Sequence, residues 1–133
     1  GGTNHRIGLY DMIMLKDNHV DLAGGIKSAV GKAAQYLKTT GKQLKIEVET
    51  RNLKEVEEAI HTGQVDIIML DNMSVTDMKK AVEMIDGKII TEASGNVNEN
   101  TIREIAECGV DFISVGALTH SIKSLDLSLL TKI

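Results

Sequence analysis

The sequence predicts an α/β domain of parallel strands, read as an open or incomplete, TIM-barrel-like (βα) barrel with about five βα units. Three observations carry this. Short apolar runs alternate with stretches of helical period. No linker or compositional break divides the 133 residues, the length of one ordinary domain. The strands also carry polar side chains on one face, which a sheet buried on both faces would not.

The elements follow in order. MIMLK, 12–16, is the first strand. A helix is expected over 22–37, with Leu22, Ile26, Ala29, Val30, Ala33 and Leu37 on one face. LKIEVE, 44–49, is the second strand. Asn52 and Glu55 have capping-box spacing, and Leu53, Val56 and Ile60 continue the helix they open. DIIML, 66–70, is the third strand. Ser74 with Asp77 marks another helix start, striped by Met78, Ala81, Val82 and Ile85. KIITEA, 88–93, is the fourth strand. Ile102, Ile105 and Ala106 mark a helix that stops at Gly109, and DFISV, 111–115, is the fifth strand. The tail, 121–133, is expected to hold a short helical turn and a last extended piece.

Strand–helix alternation implies parallel strands joined by crossovers, in a barrel or an open doubly wound sheet. The polar residues favour the barrel. Side chains alternate along a strand, so Leu44, Ile46 and Val48 share one face while Lys45, Glu47 and Glu49 share the other. Lys16 falls on the side of Met12 and Met14, Asp71 on that of Ile67 and Met69, Glu92 with Ser94, and Ser114 with Phe112 and Gly116. Buried charges cost several kcal/mol each unless paired or coordinating. Polar side chains near the carboxyl ends of five strands are the layout of a barrel active site. Mutually satisfied ion pairs, or an edge open to water, would be the structural alternative.

Composition narrows the classes. A net charge of −4 without a basic run or aromatic interleaving argues against nucleic acid as partner. No apolar run approaches the roughly 20 residues of a membrane helix, so no membrane partner is expected. The one cysteine, Cys108, reads as a small packing residue, and a cytoplasmic location follows most simply. The first residues are Gly1-Gly2 with no initiator methionine, which suggests a piece of a longer polypeptide. Two strand ends carry small residues before a turn, in EASGN (92–96) and SVGALTHS (114–121). At Ser94-Gly95 and Gly116-Ala117 backbone N–H groups can approach an anion closely, and a following helix start adds its positive end.

The motifs GGTNHRIGLYDMIMLKDNH (1–19), AGGI (23–26), KIEVE (45–49), DIIMLDNM (66–73), EASGN (92–96) and VDFISVGALTHS (110–121) run in an order that resembles the quinolinate phosphoribosyltransferase family. The resemblance spans nearly the whole chain. It implies phosphoribosyl transfer from phosphoribosyl pyrophosphate to quinolinate with decarboxylation, giving nicotinate mononucleotide, pyrophosphate and carbon dioxide for NAD synthesis, with Mg²⁺ as cofactor. It also implies that residues 1–133 are the C-terminal part of the barrel domain, without the N-terminal domain and first barrel segment. The enzyme would be a homo-oligomer, a dimer sharing its active site.

The same resemblance assigns residues. His5, Arg6 and Lys16 match cationic residues around the dicarboxylate base and the pyrophosphate, chemistry that suits an Arg fork and a Lys point charge. Glu49 and Asp71 match carboxylates near the ribose hydroxyls and the metal, where hard oxygens and water suit Mg²⁺. Lys16, Glu49 and Asp71 are thereby the catalytic set. Ser94, Gly95, Gly116 and His120 match the 5′-phosphate cradle. Glu47 and Glu92 are lining residues, His19 structural and His61 solvated. Asn96 departs from the family, which often has a second glycine there; Asn tolerates positive φ better than most residues. The family's Thr-Arg-Lys-Thr-like segment is absent, so these 133 residues alone are expected to be inactive. A paralogous barrel enzyme acting on another base or anion, and a non-catalytic phosphate-binding module, are the competing readings.

Overall fold

The computed structural model describes residues 2–8 and 10–119. In chain order these form β1 (Met12–Leu15), α1 (Asp17–Ala23), α2 (Ile26–Thr40), β2 (Lys45–Thr50), α3 (Leu53–Thr62), β3 (Ile67–Asp71), α4 (Val75–Ile85), β4 (Ile90–Ser94), α5 (Ile102–Ala106) and β5 (Phe112–Ile113), then a 3₁₀ turn (Gly116–Leu118). The tail expected over 121–133 and the phosphate-loop residue His120 lie outside the described residues.

The five strands are all parallel and lie side by side in sequence order. A doubly wound sheet reverses strand order at a switch point. This one does not, and it remains open between β1 and β5 among the described residues, as an incomplete barrel requires.

One sheet face meets the helices. Val48, Ile68, Leu70 and Ala93 pack against Val30, Val56, Met78 and Ile85 in a single cluster. Each large side chain fully buried there is worth about 1.5–3 kcal/mol. The opposite face carries Glu47, Ile67, Met69 and Glu92, all buried, as the alternation predicts.

The helix expected over 22–37 is two helices. Gly24 and Gly25 both take positive φ, 86° and 113°. Their N–H groups close the end of α1 on the carbonyls of Asp21 and Val20. The break turns Leu22 out of the packed face and leaves it 71% exposed. Capping is otherwise as expected. Asn52 accepts the Glu55 N–H at 3.0 Å, and Ser74 accepts the Asp77 N–H at 3.1 Å. Glu55 returns its carboxylate to the Arg51 N–H at 2.7 Å, one residue short of a standard capping box.

Further boundaries differ: β4 begins at Ile90 instead of 88, and β5 keeps only Phe112–Ile113 of the expected 111–115. β1 stops before Lys16, which becomes the residue preceding α1. α5 has only five residues, so the positive end expected behind the 95–101 loop is slight, and Gly116 opens a three-residue 3₁₀ turn instead of a helix.

Candidate active site

The polar residues gather at the carboxyl ends of the strands and on the face away from the helices. Glu47 is completely buried on β2. Its carboxylate meets Nε2 of His5 at 3.2 and 3.4 Å, and the same nitrogen lies 3.6 Å from Glu92 on β4. The Ser114 hydroxyl donates to the other Glu92 oxygen. Burial, then the charge of Glu92, pushes the Glu47 carboxyl above its ordinary range, while His5 and Arg6 pull it back. The nitrogen and carboxylate oxygens of this trio lie within 4.8 Å of one another, close enough to hold a metal ion. As it stands the trio is a knot of polar contacts.

Nearer the rim, Glu49 is half-buried at the end of β2. Burial raises its carboxyl, the charges of Asp71 and Asp17 add to this, and Lys16 and the Asp17 N–H oppose it. Lys16, Glu49 and Asp71, ends of three adjacent strands, therefore share one electrostatic neighbourhood. Lys16 and Arg6 also line a recess of about 310 Å³ with Met12, Met14 and His19. His19, read from the sequence as structural, accepts the Lys16 N–H at Nδ1 at 3.1 Å at the start of α1.

Asp71 is held by a relay. Asn72 donates from Nδ2 to the Asp71 carboxylate, and Asn96 donates to Oδ1 of Asn72, both at 2.9 Å. Asn96 takes φ 52°, as its residue type allows, and Asn72 takes φ 51°. Asp71 pairs in register with Ser94, which leads into Gly95. Gly95 has φ 87°, and a Cβ there would fall 2.2 Å from Oδ1 of Asn72. Only glycine fits both demands. Asn72 is the residue that the sequence reading missed. An Asn directly after a strand-ending Asp was the available signal.

A second recess, of about 390 Å³, lies at the opposite ends of the strands, between Lys45, Asp66, Lys88 and Asp111. There Asp66 accepts the Ile46 N–H, and Asp111 accepts the Thr91 N–H and hydroxyl, each at 2.8 Å. Such amino-end contacts serve barrel stability rather than chemistry. Of the remaining groups, Arg51 spans Asp21 and Glu55, Arg103 pairs with Glu107, and His61 is exposed on α3. Cys108 is buried with its sulfur 3.2 Å from the Glu104 carbonyl, and burial raises its thiol. It is a packing residue.

Comparison with known proteins gives the family. The family model for the C-terminal domain of quinolinate phosphoribosyl transferase matches residues 1–130. The chain belongs to the quinolinate phosphoribosyl transferase family. It is 50% identical to the chloroplastic carboxylating nicotinate-nucleotide pyrophosphorylase of Arabidopsis thaliana, over 97% of this chain and 41% of that protein. It is 47% identical to a mitochondrial decarboxylating quinolinate phosphoribosyltransferase of Nicotiana glauca, again over 97% and 41%. The solved nicotinate-nucleotide pyrophosphorylase of Francisella tularensis superposes with a TM-score of 0.83 at 49% identity, covering 96% of this chain and 44% of that one. The chain thus spans less than half the length of these family members.

Proposed function

We propose that this chain carries the barrel portion of a quinolinate phosphoribosyltransferase. It would move the phosphoribosyl group of phosphoribosyl pyrophosphate to quinolinate and release pyrophosphate and carbon dioxide, leaving nicotinate mononucleotide for NAD synthesis. The observation that carries this is the grouping, in a family member, of Lys16, Glu49, Asp71 and Ser94-Gly95 at the carboxyl ends of parallel strands, with Arg6 lining the recess beside Lys16.

His5, Arg6 and Lys16 receive the two carboxylates of the base and the pyrophosphate. The ring nitrogen of quinolinate attacks the anomeric carbon as the bond to pyrophosphate oxygen breaks. Positive charge develops on the ribose, and the carboxylates of Glu49 and Asp71 face it while they hold its hydroxyls. The carboxylate next to the ring nitrogen then leaves as carbon dioxide, the pyridinium stabilises the electron pair left behind, and a proton replaces it. Ser94, Gly95, Gly116 and His120 cradle the 5′-phosphate. Hard, half-buried carboxylates fit Mg²⁺, so Glu49 and Asp71 would hold it, with water in its shell. Bound there, Mg²⁺ supplies charge neutralisation to the pyrophosphate.

The sequence has three arginines, and two of them are committed to Asp21, Glu55 and Glu107. Arg6 is thus the one arginine among them free for the site, and a homodimer with a shared site would add further cations for a 5′-phosphate, a pyrophosphate and a dicarboxylate. A cytoplasmic location remains our reading of the lone cysteine, since a reducing compartment keeps such a thiol free. Among the described residues no helix is long and apolar enough to cross a membrane.

The test is a product assay on the full-length polypeptide with quinolinate, phosphoribosyl pyrophosphate and Mg²⁺, with nicotinate as a competing base. Nicotinate mononucleotide and carbon dioxide from quinolinate alone are expected, and Asp71→Asn should abolish most turnover. Product from nicotinate, or indifference to Asp71→Asn, would refute the reading.

A further inference from the structure

We propose that Glu47, Glu92 and Ser114 are positioning residues that seat His5 for the substrate dicarboxylate, an inference that rests on the function proposed above. His5 lies in a stretch before β1 that has no helix or strand. Within that stretch, Asp11 accepts the N–H groups of Ile7 and Gly8, which shapes the turn but does not tie it to the sheet. The polar tie from His5 to the sheet runs through Nε2 to Glu47 and Glu92. A recognition side chain on an irregular segment needs such support to hold its geometry.

The support is itself rigid. Glu47 is 0% and Glu92 4% exposed, and they stand on two strands separated by β3. Ser114, just past β5, donates to Oε1 of Glu92, while Oε2 is the oxygen near His5. Two strands thus converge on one imidazole nitrogen, with Ser114 bracing one of the two carboxylates. Among the described residues Nδ1 has no hydrogen-bond partner, and the His5 side chain is 33% exposed, so this nitrogen is the one left to meet a ligand. With Nε2 anchored to two carboxylates, an imidazolium would present an Nδ1–H donor to an incoming carboxylate.

A purely structural ion pair and a positioning device differ in what they do to each substrate. The experiment uses the full-length enzyme and four forms: unmodified, Glu92→Gln, His5→Ala and the double variant. Ser114→Ala, which removes one hydroxyl and leaves both carboxylates, takes the place of Glu92→Gln if that variant does not fold. Glu92→Gln should raise the KM for quinolinate about tenfold, the worth of one charge-assisted hydrogen bond, and leave that for phosphoribosyl pyrophosphate within about twofold. In the His5→Ala background the same substitution should add nothing, because Glu92 acts through His5. Independent, multiplying effects of the two substitutions, or equal rises for both substrates, would overturn the positioning role while product formation stands. Absence of product from the unmodified enzyme would refute the parent reading, and this one with it.

Discussion

Gly95→Ala tests the loop between the third and fourth strand ends. Two costs add. Alanine at φ 87° sits in left-handed territory, at about 1–2 kcal/mol. Its Cβ would overlap the Asn72 amide, at 2.2 Å from Oδ1 and 2.4 Å from Cγ. Asn72 must then rotate, and its bonds from Asn96 and to Asp71 are lost. Both are exposed, so together they are worth about 1 kcal/mol. The sum is about 2–3 kcal/mol, read from urea unfolding of full-length protein. Gly41→Ala is the control, because Gly41 has φ 68° with nothing within 4 Å of a Cβ. It carries the backbone cost alone. Gly95→Ala should also raise the KM for phosphoribosyl pyrophosphate, since Asp71 loses its tether, whereas Gly41→Ala should not. Equal destabilisation by the two alanines, with no kinetic difference between them, would refute the reasoning about Asn72.

Other expectations follow from the same contacts. Burial holds the Glu47 carboxyl above 4.5, so between 4.5 and its raised value the folded state binds more protons than the unfolded chain. The stability it contributes is present below 4.5 and is lost as pH rises through that window; Glu47→Gln should flatten this slope in metal-free buffer. Asp21 has the opposite sign: Arg51 lowers its carboxyl, so its contribution is lost as pH falls below 3.8, and Arg51→Lys should weaken that acid limb. Arg51→Lys should also lower the thermal midpoint by loosening α1 from the β2–α3 loop, with both KM values unchanged. Cys108 should react with a thiol reagent only on unfolding, and Cys108→Ala should retain turnover.

Much of this molecule is written locally. The alternation of LKIEVE placed Glu47 and Glu49 on the polar face because strand side chains have a period of two. Asn52 and Ser74 announced their helices because capping is a contact over three residues. The join of His5 to Glu47 spans 42 residues, and no pattern within a window reports it. The split at Gly24-Gly25 was readable in principle, but Ile26, Ala29, Val30 and Ala33 continued the apolar stripe strongly enough to hide the break. The role of Asn72 depends on how closely Gly95 approaches it, a fact of tertiary packing.

The register of the sheet explains why the candidate residues fall where they do. In the ladder, the β4 residue level with Glu47 is Ile90, two before Glu92, yet His5 bridges Glu47 and Glu92. An eight-stranded barrel of shear eight shifts each strand by about one residue, so strands two apart share a layer at an offset of two. Glu47 and Glu92 then form one layer. The same offset carried along the ladder puts Met14, Met69 and Ser114 in the next, Glu49 with Ser94 above it, and Lys16, Asp71 and Gly116 at the rim. Charged groups in the lower layer make their polar contacts internally, with His5 and Ser114. Those in the two upper layers lie where a ligand can reach them, which is why the residues assigned to ribose, metal and phosphate lie in the upper layers, with the carboxylates of Glu47 and Glu92 beneath them.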